Sequence, residues 1–321
     1  MGMADTVTKE YIRSNEVFAD AFNYLIYDGE QVVKPALLQE LDTTEIAIPF
    51  ALGENENQIE DVVQKYRDVL KSAVIMQDSR ASYILLGVEN QTEIHYAMPV
   101  RNIIYDALQY GKQVSEVAKR HKSKGDRKGH NKGEYLSGFY KEDRIRPVIT
   151  LVVHFGADEW DGPLSLYEMM DLEDKKLLEF VQDYRIFLID PYKLANNDLE
   201  KFSTSLGDVL GYIKYSKDKK ALSKFLNDNQ VMIMDNDAAR VIRDVTNTPI
   251  YVPDGKGEID MCKAVRDMID ESKQEGMAAG ELNKAKKMAL KMYKKGDSIE
   301  EIAEMAEVSV DQVKEWINSA V

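Results

Sequence analysis

Cysteine is nearly missing: the 321 residues contain one, Cys262. That excludes an intramolecular disulfide and fits a reducing compartment. No run approaches the ~18 consecutive apolar residues that a membrane-spanning helix needs. Residues 1–11 hold no apolar segment of signal-peptide length either. The sequence is therefore expected to act in the cytoplasm, away from membranes. Basic charge is also in short supply. Lysine and arginine number 42 against 56 acids, a net charge of −14, which at face value argues against a nucleic-acid partner, because phosphate contacts require Lys and Arg.

What basic charge there is lies together. Between Lys112 and Arg146 eleven Lys or Arg residues face five acids, which leaves −20 for the rest of the chain. A basic segment on an acidic body is compatible with DNA binding at one surface. Within it, residues 120–133 carry Arg120, Lys122, Lys124, Arg127, Lys128 and Lys132 among glycines, with no large apolar side chain. This stretch reads as a mobile loop that holds the phosphate backbone without reading bases, or else as a solvated insertion. His121 and His130 in it read as surface histidines.

The chain is organised around residues 66–91. Two apolar, β-prone runs, Val69 to Met76 and Tyr83 to Val88, flank Asp78-Ser79-Arg80-Ala81, a short polar segment able to reverse the chain. The expected β-hairpin sets Asp68 across from Glu89 to Gln91, at the roughly 4.5–5.5 Å that separates opposed residues. Glu89 and Gln91 share a face because strand side chains alternate. Two carboxylates and an amide then converge at one end of an apolar ribbon, a donor set that suits a hard divalent cation such as Mg²⁺, held partly through waters. Acids at strand ends are also often merely solvated.

Downstream, Pro99 suits the first turn of a helix running to about Gln113, with Ile103, Ile104, Ala107 and Leu108 on its buried side. Arg101 and Tyr105 lie one turn apart on one face. The order Asp68, hairpin, Glu89-x-Gln91, then Met98-Pro99-Val100-Arg101 and Tyr105-Asp106, resembles the recombination-promoting nuclease / putative transposase family of the PD-(D/E)XK nuclease superfamily. The resemblance implies a restriction-endonuclease-like core and a Mg²⁺-dependent endonuclease, with Mn²⁺ as an alternative ion. Its substrate would be double-stranded DNA, cut to promote recombination or transposition. Asp68 and Glu89 would ligate the metal and Gln91 would complete the catalytic set, with Arg101 and Tyr105 in support. In that superfamily an acid from a preceding helix often completes the metal site, which points to Asp20 or Glu16; a solvated helix face is the other reading. The general superfamily has a Lys where this chain has Gln91. Gln cannot act as a base at neutral pH, although its amide can orient water. The alternative function is a catalytically weak or inactive DNA-binding or assembly protein that keeps the nuclease fold.

The remaining elements fit an α/β fold, a mixed central sheet flanked by helices. Glu10 to Tyr27 reads as one helix. Arg146 to Phe155 is a continuous apolar run expected as a central strand, with His154 a hydrogen-bonded core histidine, and Tyr184 to Asp190 is a further strand. We expect the nuclease-like core over 1–195, a helical extension over 196–260, and regulatory or self-associating helices over 261–321. Ser298-Ile-Glu-Glu301 and Ser309-Val-Asp-Gln312 each have capping-box form. They outline a helix-turn-helix, but Ser298 to Val321 holds six acids and Lys314 alone as a base, which favours protein contact or homo-oligomer formation over DNA reading.

Overall fold

Alternating and continuous apolar runs in the first half build a five-stranded mixed sheet in the computed structural model, which describes residues 2–41, 44–47, 63–66, 68–77, 80–125, 131–172, 175–229 and 231–319. The strands lie in the order β1 (Gln39–Glu40), β4 (Val69–Gln77), β5 (Arg80–Gln91), β6 (Val148–His154), β7 (Phe187–Ile189). A separate two-stranded ribbon pairs β2 (Thr44–Ala47) with β3 (Val63–Tyr66), and another pairs β8 (Ile233–Asp235) with β9 (Glu258–Asp260).

The hairpin is present: β4 and β5 pair antiparallel from Val69↔Val88 to Gln77↔Arg80. Asp78 and Ser79, where the reversal was expected, lie outside the described residues. β6 runs parallel to both neighbours. Its side chains are buried on both faces apart from Ile149, as its unbroken apolar sequence requires.

Helices cover the two faces. On one side lie α1 (Met3–Arg13) and α2 (Asn15–Tyr27). The single helix expected over 10–27 is divided, because Ser14 adopts ψ 136°, outside the helical range. The break has a partner in the sheet: the buried Lys71 Nζ donates to the carbonyl freed at Arg13 and, at 2.6 Å, to Asn15 Oδ1. On the other side lies α3 (Met98–Lys124), fixed by Asp106, whose carboxylate accepts 2.6 Å hydrogen bonds from Thr150 on β6 and from Tyr184.

Residues 120–133 are not a loop throughout. α3 continues to Lys124 and stops at Gly125, whose φ of +64° is the left-handed conformation that glycine adopts without a Cβ clash. α4 (Lys132–Ser137) opens on a capping box between Asn131 and Glu134. His121 stacks on Tyr140 with ring centroids 3.8 Å apart and pairs with Asp143 at 2.9 Å, so it is a packed histidine rather than a surface one. Lysine and arginine are good helix formers, and hydrophilicity alone did not distinguish an exposed helix end from a loop.

The first compact unit, Met1–Thr248 with Val252–Asp260, is completed by α5 (Asn196–Leu199), α6 (Leu206–Tyr215), α7 (Lys219–Asn229) and α8 (Asn236–Thr246). The second, Pro249–Tyr251 with Met261–Val321, contains α9 (Met261–Lys295), α10 (Ile299–Met305) and α11 (Val310–Asn318). α9 continues through Gly276 and Gly280 without a break. Ala289, Ile302, Ala303, Val313, Trp316 and Ile317 form a small core among these three helices. The Ser298–Glu301 capping box is complete, and Ser309 caps α11 by accepting from the Gln312 N–H. No helix among the described residues is long and apolar enough to cross a membrane.

Candidate active site

Strand parity decides which residues can meet. In the β4/β5 register, Leu70, Leu85, Gly87, Glu89 and Gln91 lie on the α3 face, while Val69, Lys71, Leu86, Val88 and Asn90 lie on the α1/α2 face. One step before Val69, Asp68 stands beside Glu89. The Asn90 N–H donates to Asp68 Oδ2 at 2.9 Å, tying that carboxylate to the end of the neighbouring strand. The register therefore sets the two acids opposite each other at the ends of neighbouring strands.

Burial sets the chemistry of the pair. Glu89 is fully buried, and Asp68 is 8% exposed. A carboxylate out of water requires a counter-charge, and each has one. Arg101 Nη2 lies 2.9 Å from Glu89 Oε2, and Lys9 Nζ lies 3.1 Å from Asp68 Oδ1. Arg101 is oriented in turn by its Nε–H, which donates to the Tyr105 hydroxyl at 3.2 Å. Burial pushes the Arg101 guanidinium's pKa down, but the Glu89 carboxylate and the hydrogen bond to Tyr105 raise it and the net shift is upward. Burial and the Glu89 charge push Tyr105 up, so its hydroxyl keeps its proton.

Gln91, half-buried, donates its amide N–H to the Asn90 carbonyl at 2.9 Å. That leaves the side-chain oxygen as its acceptor. His154 pairs with Gln91 in the β5/β6 register, and its Nε2 lies 2.8 Å from the Asp158 carbonyl, as expected of a core histidine.

Asp20 and Glu16 have other partners. Asp20 accepts four hydrogen bonds, from the backbone N–H and hydroxyl of both Ser203 and Thr204, at 2.6–2.9 Å. It holds the segment leading into α6. Glu16 accepts from the Ser14 hydroxyl at 2.9 Å. Among the expected phosphate-binding residues, Arg120, Lys122 and Lys124 are exposed on the last turns of α3 and Lys132 begins α4, while Arg127 and Lys128 lie outside the described residues.

Three residues of the site had no local signal. Lys9 reaches Asp68 from a helix far away in sequence. Thr8, on the same turn, accepts a 2.6 Å hydrogen bond from Asn90 Nδ2 and donates its own to the Ala4 carbonyl. Asn90 thereby joins the site's backbone to α1. Spacing along one strand cannot show which distant helix packs on it.

The donor set fits a hard cation. Two carboxylates at the ends of neighbouring strands match the way Mg²⁺ is held, by one or two carboxylates plus waters and substrate phosphates. Groups of three or more His, Cys, Asp or Glu suited to a metal are absent among the described residues, and Lys9 and Arg101 already pair with the two carboxylates. The family model described as “Putative transposase, YhgA-like” matches residues 35–239, a span that includes Asp68, Glu89, Gln91, Arg101 and Tyr105. No curated protein and no solved structure matches the chain.

Proposed function

The chain belongs to the YhgA-like putative transposase family, and from that premise we propose that it is a metal-dependent DNA endonuclease of the PD-(D/E)XK kind. The observation that carries this reading is the opposition of Asp68 and Glu89 on adjacent strands, joined through the Asn90 N–H at 2.9 Å.

Asp68 and Glu89 would hold Mg²⁺, or Mn²⁺ in its place. A cation bound there lowers the pKa of water and offsets charge that builds on a phosphodiester under attack. The chain's own groups do the rest. The Gln91 side-chain oxygen accepts a hydrogen bond from the attacking water and so orients it. Arg101, held by Tyr105, pairs with Glu89 and presents positive charge beside the scissile phosphate. Double-stranded DNA is the substrate that suits this reading.

A second reading has its own observation. Lys9 and Arg101 already neutralise both carboxylates, as in a structural ion-pair network, and Gln91 supplies no charge. On that reading the protein binds or assembles on DNA without cutting it.

Calorimetric titration with Mg²⁺ separates the two. The nuclease reading expects one binding event in wild type that is lost in both Asp68→Ala and Glu89→Ala. Wild type that takes up no Mg²⁺, with or without DNA, supports the assembly reading.

A further inference from the structure

His154, the last residue of β6, stands beside Gln91, the last residue of β5, and the two are partners in the parallel register. Partners in a sheet carry their side chains on one face, and neighbouring strands lie about 4.8 Å apart. That face is the α3 face, because Val152, two residues earlier on β6, packs against Met98 of α3.

The imidazole is held tightly. It meets Trp160 edge to face, with ring centroids 5.4 Å apart, and its Nε2 lies 2.8 Å from the Asp158 carbonyl. A Cβ on residue 156 would come to 2.4 Å from Cε1 and 2.8 Å from Nε2, so the passage of the chain around the ring requires Gly156. The same Cβ would come to 2.6 Å from the Thr92 carbonyl, which places the Cε1 edge of the ring close to the chain leaving Gln91. The Phe155 N–H donates to the Gln91 carbonyl at 2.7 Å and ties the two strand ends together.

One atom of this ring is unaccounted for. Nδ1 is buried and has no hydrogen-bond partner among the described residues, in a residue that is 1% exposed. Buried polar atoms without a partner are rare in folded proteins and call for an explanation. The tautomer follows from the geometry. A carbonyl only accepts, so Nε2 carries the proton given to Asp158, and Nδ1 of the neutral ring offers a lone pair.

Gln91 has the complementary group. Its amide nitrogen carries two protons, and the bond to the Asn90 carbonyl at 2.9 Å uses one of them. We infer that His154 is a positioning residue for Gln91, with Nδ1 accepting the second amide proton. An atom that can only accept takes the nitrogen end of the amide and rejects the oxygen end. The pair therefore selects one of the two amide orientations, the one that leaves Oε1 to receive the attacking water. The inference rests on the nuclease reading for what Gln91 does and adds the residue that sets its orientation.

The test has two readouts on the full-length protein, one of them independent of catalysis. The first is the side-chain amide signal of Gln91 in a ¹H–¹⁵N spectrum, assigned by its absence in Gln91→Ala. His154→Phe keeps an aromatic ring against Trp160 but has no acceptor, and it is expected to move one of the two amide protons upfield and speed its exchange. His154→Asn loses the ring but carries an acceptor at the same bond distance from Cα as Nδ1, and it is expected to retain the wild-type pattern. The second readout is plasmid nicking in Mg²⁺. His154→Phe is expected to lower kcat about tenfold, as loss of an outer-shell partner does, with KM unchanged, and to add nothing in a Gln91→Ala background. A Gln91 amide signal that is the same in wild type and His154→Phe overturns the inference. So do effects of the two substitutions on kcat that multiply in the double variant. The expected amide pattern in a protein that never nicks supports the pair and removes the nuclease reading; nicking with an amide signal indifferent to His154 leaves that reading intact and removes the pair.

Discussion

Arg101 and Glu89 meet at 2.9 Å, the carboxylate fully buried and the guanidinium keeping 27% of its side chain exposed. Removing one partner of such a pair costs more than the pair contributes, because the other charge is left without water or counter-ion. Arg101→Ala is expected to lower unfolding free energy by about 3 kcal/mol, measured by urea denaturation. Arg101→Lys restores the charge without the Nε–H donated to Tyr105, so it is expected to recover part of the loss. An Arg101→Ala protein as stable as wild type would show that Glu89 is not held as an ion.

Asp20 provides a contrast. Its four hydrogen bonds from Ser203 and Thr204 make it a structural acid, and buried donors left unmet cost roughly 1–3 kcal/mol each. Asp20→Ala is expected to destabilise the protein by about 3 kcal/mol while leaving Mg²⁺ affinity at 20 °C unchanged in the folded fraction. Loss of metal affinity without loss of stability would return Asp20 to the metal site.

Lys71 makes stability depend on pH in a defined direction. Burial lowers its pKa from 10.5. In the window just below 10.5 the unfolded chain binds the proton more strongly than the folded one, so unfolding takes up protons and stability rises with pH. Urea denaturation of wild type and Lys71→Met across pH 8 to 10 is expected to show wild type gaining on the variant. Parallel curves would mean that Lys71 stays charged in the fold.

The two tryptophans lie in different units: Trp160 is 2% exposed in the first and Trp316 is 6% exposed in the second. Loss of a Ser cap costs about 1 kcal/mol. With Trp160→Phe and Trp316→Phe backgrounds to assign the fluorescence, Ser298→Ala is expected to lower the transition reported by Trp316 by about that amount and leave the one reported by Trp160 in place. A shift in both would mean that the units unfold as one.

Period and composition made the hairpin legible. Val69 to Met76 and Tyr83 to Val88 marked two strands with a reversal between them, which set Asp68 across from the Glu89 to Gln91 end of the second. The apolar run of β6 announced its burial in the same way. Helix ends were harder. Nothing in Glu10 to Tyr27 signals the break at Ser14, whose reason is Lys71, a residue on a distant strand. Residues 120–125 have a loop's composition, yet they extend a helix already anchored at Asp106 by Thr150 and Tyr184. Lys9 and Thr8 enter the site through tertiary contacts that no local pattern encodes.

The central claim is that Asp68 and Glu89 together support phosphodiester hydrolysis. Nicking of supercoiled plasmid tests it most directly, with wild type, Asp68→Ala and Glu89→Ala compared in Mg²⁺ and in EDTA after circular dichroism has shown all three folded. The account predicts nicking by wild type in Mg²⁺, none in EDTA, and a fall of at least about a hundredfold in each variant, the upper end of what loss of even an outer-shell metal partner costs. Wild type that binds the plasmid but never nicks it, or nicking that survives in both variants, would contradict it.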